Sequence, residues 1–191
     1  MLSDLGAETT LQFELDEAAA VVKMNTWAGQ PLPLSATSWH AGLLTVRLSG
    51  AQSAVNAAQA KLGGEAVKDA SAFWQRLRDQ TTPFFEKRPS TWNQRLWRLA
   101  VKPTTPPLKL GDAQWIEWGG AVRWLVSDIS ETTLREATQR CGGYATLFRG
   151  NAPIDGAFTP LTPALLTLHR NLKQRFDPKG IFNHGRLYPD F

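Results

Sequence analysis

Residues Leu11–Val67 read LQFELDEAAAVVKMNTWAGQPLPLSATSWHAGLLTVRLSGAQSAVNAAQAKLGGEAV, and the changes of period along this stretch decide the fold. Leu11–Leu15 alternates like a strand. Glu17–Ala28 then sets Val21, Met24 and Ala28 on one helical face and ends at Gly29, a residue able to close a helix in the left-handed conformation. Leu34–Trp39 and Leu43–Leu48 return to strand. Ser53–Leu62 repeats the helical spacing with Val55, Ala58 and Leu62 before Gly63, and Glu65–Val67 is a short closing strand. The order βαββαβ is the ferredoxin-like arrangement, in which an antiparallel sheet carries its helices on one face.

The same unit recurs further along. Val122–Val126 leads into Glu131–Cys141, whose Leu134, Ala137 and Cys141 copy the spacing before Gly142, and Tyr144–Phe148 follows as a strand. Ahead of it, a helix over Ala70–Gln80 stops at Thr81-Thr82-Pro83, and Leu96–Val101 is a strand. Gln114–Trp118 and Ala121–Val126 flank Gly119-Gly120, a two-residue link that predicts a tight hairpin with Trp115 facing Trp124. Proline-rich segments at 81–90 and 102–108 read as connections within one domain. The last helix has Thr162 as cap, Pro163 in its first turn, Leu161 stapling onto Leu166, and a predicted buried stripe of Leu165, Leu168, Leu172 and Phe176. The expected class is therefore α+β: ferredoxin-like βαββαβ units form a mainly antiparallel sheet with helices packed on one face, plus a C-terminal helix and tail. Residues 1–160 are expected to form the α+β domain and 161–191 the helix and tail.

Composition excludes several functions. A single cysteine, Cys141, rules out an internal disulfide framework and any Cys-based zinc site, and its place on an apolar stripe suits a structural thiol. No apolar run approaches the ~20 residues that span a bilayer. Met1–Leu5 lacks the basic and apolar regions of a signal peptide, so a cytoplasmic setting is expected, with any membrane attachment supplied by a partner. A net charge of +4 with acidic residues scattered among the basic ones gives no dense cationic stripe, and nucleic acid is not expected as a partner. Phosphate-loop and dinucleotide glycine motifs are absent, and His40, His169 and His184 lie too far apart in sequence to suggest a metal site.

The terminal stretch Phe176-Asp177-Pro178-Lys179-Gly180-Ile181-Phe182-Asn183-His184-Gly185-Arg186 breaks a helix, turns at Gly180, and is expected to bury Ile181-Phe182 while presenting polar and cationic groups. It resembles the Asp-Pro-x-Gly-Ile-Phe-Asn-Pro-Gly-Lys ending of FAD-linked oxidases of the vanillyl-alcohol-oxidase type, and more closely the E subunits of bacterial glycolate oxidases. Asn25–Pro33, Leu96–Val101 with Pro106-Pro107, and Glu117–Leu125 resemble the same subunits. His184 stands where the family has proline, and Arg186 where it has lysine, which keeps charge but changes geometry.

The resemblance implies a role in 2-hydroxy acid (glycolate) oxidation, with FAD held chiefly by an N-terminal domain of the same subunit. The chain reads as the C-terminal, cap-bearing part of such a subunit and is not expected to bind FAD tightly or to turn over alone. A sister flavin subunit and an iron–sulfur subunit are the implied partners. Asn183, Gly185 and Arg186 match the family ending and are the implied flavin-loop residues: a hydrogen-bond donor, a close backbone approach and a positive charge. The histidine-rich Gly-Asp-Gly-Asn-x-His segment of hydroxy-acid-oxidising relatives has no counterpart, so no catalytic residue and no metal ligand is assigned. Arg98 and Arg123, each a lone cation beside a tryptophan on a strand, are candidates for a substrate carboxylate, with a solvent-facing sheet position as the alternative. The competing reading of the whole chain is a non-catalytic interaction module that joins oxidase subunits without touching cofactor. A small stand-alone ligand-binding protein is a third.

Overall fold

The computed structural model describes residues 6–86, 95–111, 114–151 and 156–188. One eight-stranded sheet organises the described residues, with every neighbouring pair antiparallel. Its strands are β1 (Ala7–Glu14), β2 (Leu34–His40), β3 (Leu43–Gly50), β4 (Glu65–Ala66), β5 (Arg95–Ala100), β6 (Gln114–Glu117), β7 (Val122–Ser127) and β8 (Tyr144–Arg149), in spatial order β4-β1-β3-β2-β6-β7-β5-β8. The first four strands lie in the order fourth, first, third, second. Read inward from β8, the last four lie in that order too. The halves meet through β2 and β6, where Ser38 pairs with Glu117, Trp39 with Ile116 and His40 with Trp115.

Three long helices form as their spacing predicts: α1 (Glu17–Ala28), α2 (Gln52–Leu62) and, after the short α3 (Ser71–Arg78) and one-turn α4 (Pro83–Glu86), α5 (Glu131–Arg140). Asp16 caps α1 by accepting the Ala19 amide at 2.7 Å, and Ser130 caps α5 by accepting that of Thr133 at 3.2 Å. The first two positions of each predicted triplet are buried (Val21 and Met24, Val55 and Ala58, Leu134 and Ala137), while of the third positions Ala28 is exposed and Leu62 and Cys141 are partly buried. Gly63 and Gly142 take positive φ, as expected, but Gly29 closes α1 at φ −80° with its amide on the Asn25 and Trp27 carbonyls.

Strand alternation assigns the faces. Leu11, Leu44, Val46, Leu48, Trp39 and Ile116 pack under α1 and α2, and Trp97, Leu99, Leu125 and Ala145 pack with Leu134 of α5. Burying a side chain such as Leu44 contributes about 1.5–3 kcal/mol. The opposite face carries Leu96, Trp115, Val122 and Trp124, covered by Trp74 and Leu77 of α3 and Phe84 and Phe85 of α4. The main helices therefore share one face, and a short helical segment joining the halves crosses the other. Pro83 ends no helix; it opens α4, a position that proline tolerates because a first-turn amide has no partner anyway.

Two expectations are corrected. The 118–121 link is a four-residue turn, closed by the Ala121 amide donating to the Trp118 carbonyl at 3.2 Å, not a two-residue hairpin; Trp118 (φ 54°), Gly119 (φ 65°) and Gly120 (φ 101°) all have positive φ. The register survives, with Trp115 paired to Trp124, because residues 118 and 121 leave the ladder together. The C-terminal helix α6 (Pro163–Phe176) is capped by Thr162 as predicted, yet no residue in it is buried. Leu165, Leu168 and Leu172 are about half exposed, and Phe176, Ile181 and Phe182 more so, because the described chain offers no surface that buries them.

Candidate functional site

On the face opposite α1, α2 and α5, the strands bring His40, Arg98, Trp115, Glu117 and Trp124 onto one surface. Trp115 donates its indole N–H to Ser38 Oγ at 2.8 Å and stacks on the His40 ring at 4.4 Å and 12°. His40 Nδ1 is held 2.9 Å from the Gln114 carbonyl, which accepts its proton. Beside this pair, Trp124 donates to Glu117 Oε2 at 2.6 Å, and the Arg98 guanidinium lies 6.0 Å from the Trp124 ring. Burial pushes the Glu117 carboxyl above the usual carboxylate range, and the Trp124 hydrogen bond and Arg98 charge only partly oppose it.

Glu117 borders an open cleft of about 1190 Å³. The β2 bulge between Leu34 and Ala36 forms one side, the C-terminal turns of α1 another, and Trp74, Leu77 and Arg78 of α3 a third. Arg47 crosses the cleft edge, its Nε donating to Ser35 Oγ at 3.0 Å and its guanidinium 5.2 Å from the Trp74 ring. At the mouth sits Trp118, 74% exposed in a left-handed conformation that a large side chain rarely adopts. Its turn is pinned from two sides: the Gly119 amide donates to Thr37 Oγ1 at 2.9 Å, and Asn25 Nδ2 donates to the Gly119 carbonyl at 3.2 Å and to that of Pro103 at 3.0 Å. The sequence reading gave Asn25, Glu117 and Trp118 no role. The available signal was a tryptophan directly before Gly-Gly at a strand end, where a large apolar residue has no sheet neighbour to bury it.

Arg98 and Arg123 occupy adjacent strands but opposite faces, so they do not converge on one ligand. Arg123 is 0% exposed beneath the loop that joins β5 to β6. It donates to Glu17 Oε1 at 3.2 Å, to the Pro106 carbonyl at 3.0 Å, and to the Thr105 carbonyl. Burial lowers its pKa and raises that of Glu17, and each charge offsets part of the other's penalty. This guanidinium serves as an internal tie.

The family-matched ending is displayed beyond α6. Asp177 is buried, and its two carboxylate oxygens accept the Ile181 and Phe182 amides at 2.9 Å each, while Lys173 lies 2.6 Å from Oδ2. The Lys173 bond, followed by those two amides, holds the Asp177 carboxyl at about 2. Asn183 (φ 50°) accepts the Arg186 amide at 3.1 Å, and Gly185 takes φ 69°. Asn183, Gly185 and Arg186 thus lie on one exposed turn, and none of them lines the cleft. Among the described residues no group of three or more His, Cys, Asp or Glu side chains is arranged to hold a metal ion.

Over 184 residues the chain is 39% identical to glycolate oxidase subunit GlcE of Escherichia coli (strain K12), a match that takes in 96% of this chain and 50% of that subunit. The chain is similar to that subunit over nearly its whole length. It spans about half the length of that relative. No family model matches the sequence, and no solved structure matches it. The GlcE match and the α+β fold agree with the resemblance that the four dispersed motifs carry. No helix among the described residues is long and apolar enough to cross a membrane.

Proposed function

We propose that this GlcE relative acts as the C-terminal cap portion of an FAD-linked oxidoreductase subunit, with residues 1–160 as the cap and 161–191 as an arm that docks on an FAD-binding domain. In this reading FAD is shared with that N-terminal domain. Asn183, Gly185 and Arg186 approach the flavin, and the assembled subunit contributes to 2-hydroxy acid oxidation beside a sister flavin subunit and an iron–sulfur subunit. The setting is cytoplasmic, with membrane contact only through partners. The observation that carries the reading is α6: Leu165, Leu168, Leu172 and Phe176 recur at helical spacing on a well-capped helix, yet are 46–84% exposed. Such a stripe is the seam of a helix whose partner surface lies elsewhere.

A second reading, an interaction module that joins subunits without touching cofactor, is favoured by Trp118, since an exposed tryptophan on a pinned turn suits a protein interface. Two titrations decide between them. The chain alone should leave FAD fluorescence unchanged at about 100 μM flavin, which is binding weaker than roughly −5.5 kcal/mol. It should bind the half of GlcE outside the matched stretch, loaded with FAD, and change the flavin spectrum, and L168E/L172E should abolish that binding without lowering the chain's Tm. Binding that leaves the flavin spectrum unmoved would favour the interaction module. Tight FAD binding by the chain alone would overturn the cap reading.

A further inference from the structure

The loop after α6 has almost no core of its own. From residue 178 to 187 every side chain is exposed, so its opening would leave the sheet untouched. A loop of this kind is ordinarily loose, yet this one is fastened at both ends. At its start, Asp177 collects three donors: the successive amides of Ile181 and Phe182 and the Lys173 ammonium, which also reaches the Phe182 carbonyl. At its end, the Tyr188 ring lies edge-on to His169 at 6.0 Å and 6.2 Å from Phe158. Because Lys173 and His169 are one turn apart on α6, both fastenings tie the loop to the same helix. The result is unusual for an apolar segment: with its backbone clamped inward, the loop turns Ile181 and Phe182 outward, 68% and 64% exposed.

We propose that Asp177 is a positioning residue, which sets the Ile181–Arg186 loop in its docking shape before the FAD-bearing partner arrives; this rests on the docking reading above. A carboxylate suits the task because its two oxygens take two consecutive amides at once, fixing the peptide planes and therefore where Ile181, Phe182 and Asn183 point. Ordering done in the free chain does not have to be done on binding, and preorganisation of this kind appears as affinity.

Hydrogen exchange on the full chain tests the clamp directly. The Ile181 and Phe182 amides should be protected in the wild type and exchange about tenfold faster or more in D177A, the scale of one lost hydrogen bond to a charged group. D177N, which keeps one acceptor oxygen, should be intermediate. The Tm of the sheet should be the same in all three, which separates a lost clamp from a failed fold. Titration into the FAD-loaded half of GlcE outside the matched stretch should then show D177A at least tenfold weaker, with D177N between. Unprotected amides in the wild type, or rates that D177A leaves unchanged, overturn the clamp. Faster exchange with unchanged affinity overturns the positioning role. A wild-type chain with protected amides that fails to bind at all removes the docking reading itself, together with the role that rests on it.

Discussion

Replacing Arg123 with methionine separates an internal tie from a ligand-binding cation. The guanidinium is fully enclosed, and its donors go to Glu17, Thr105 and Pro106. Methionine fills similar volume but supplies none of these bonds, leaving a half-buried carboxylate and the Thr105, Pro106 and Gly120 carbonyls short of a donor. Breaking a buried pair by removing one member costs about 3–5 kcal/mol. For a chain of this size each kcal/mol lowers the midpoint by about 2–4 °C, so the Tm should fall by roughly 6–20 °C. E17Q should also destabilise, because it leaves the enclosed Arg123 charge without its counter-ion, although the carbonyls still accept from the guanidinium. R123M/E17Q should recover part of the R123M loss, since no charge is then stranded. Circular dichroism melts of the four proteins complete the cycle. R123M within about 1 kcal/mol of wild type would refute the argument that this guanidinium ties the structure together.

Two other substitutions probe the cleft. W118G removes a left-handed strain of roughly 1–2 kcal/mol and gives back about 0.5–1 kcal/mol in unfolded-chain entropy, so stability should stay within about 1 kcal/mol of wild type, on the favourable side. A loss above ~2 kcal/mol in a urea melt would mean that Trp118 packs in a way its exposure does not show. E117Q keeps an acceptor for the Trp124 indole and removes a buried charge. Because burial raises the folded pKa of Glu117 above its unfolded value, its contribution is fully present below the unfolded pKa and is lost as pH rises through the folded one. E117Q should therefore be more stable than wild type at pH 8 and indistinguishable from it near pH 4; destabilisation at pH 8 would show that Arg98 over-compensates the burial.

The sheet was legible because its signals are local. The period changes between Leu11 and Val67 mark every element of the first half, and Trp115 facing Trp124 follows from counting outward from Gly119-Gly120. What escaped the reading depends on partners distant in sequence. A lone arginine in Val122-Arg123-Trp124 reads the same whether its face meets solvent or the Thr105 and Pro106 carbonyls. The stripe on α6 was read correctly as a stripe; periodicity shows that a helix has an apolar face, not whether the surface that covers it belongs to the same domain. Trp118 shows the limit of turn chemistry, since Gly-Gly announces a turn but the bonds that lengthen it come from Asn25 and Thr37.

Comparison of the two halves explains why Arg123 is buried at all. At the junction Trp39 pairs with Ile116; on their outer sides Trp39 pairs with Leu44, and Ile116 with Arg123. Leu44 and Arg123 are therefore counterparts, both 0% exposed and on the same face of the sheet. Leu44 lies in the core cluster beneath α1 and α2, and α1 is the helix between the first and second strands of its half. Among the described residues the second half shows no such helix: residues 101–111 after β5 are rich in proline, and proline supplies no amide to meet a neighbouring carbonyl. A leucine beneath that loop would leave the Thr105 and Pro106 carbonyls buried without donors. Arginine supplies them, and Glu17, at the first turn of α1, balances its charge. One substitution on the third strand thus accompanies the replacement of a helix by a loop. It also binds the two halves through α1, whose Glu17 holds Arg123 while its Asn25 holds Pro103 and Gly119. The Trp118 turn keeps its shape because the helix that the second half lacks is borrowed from the first.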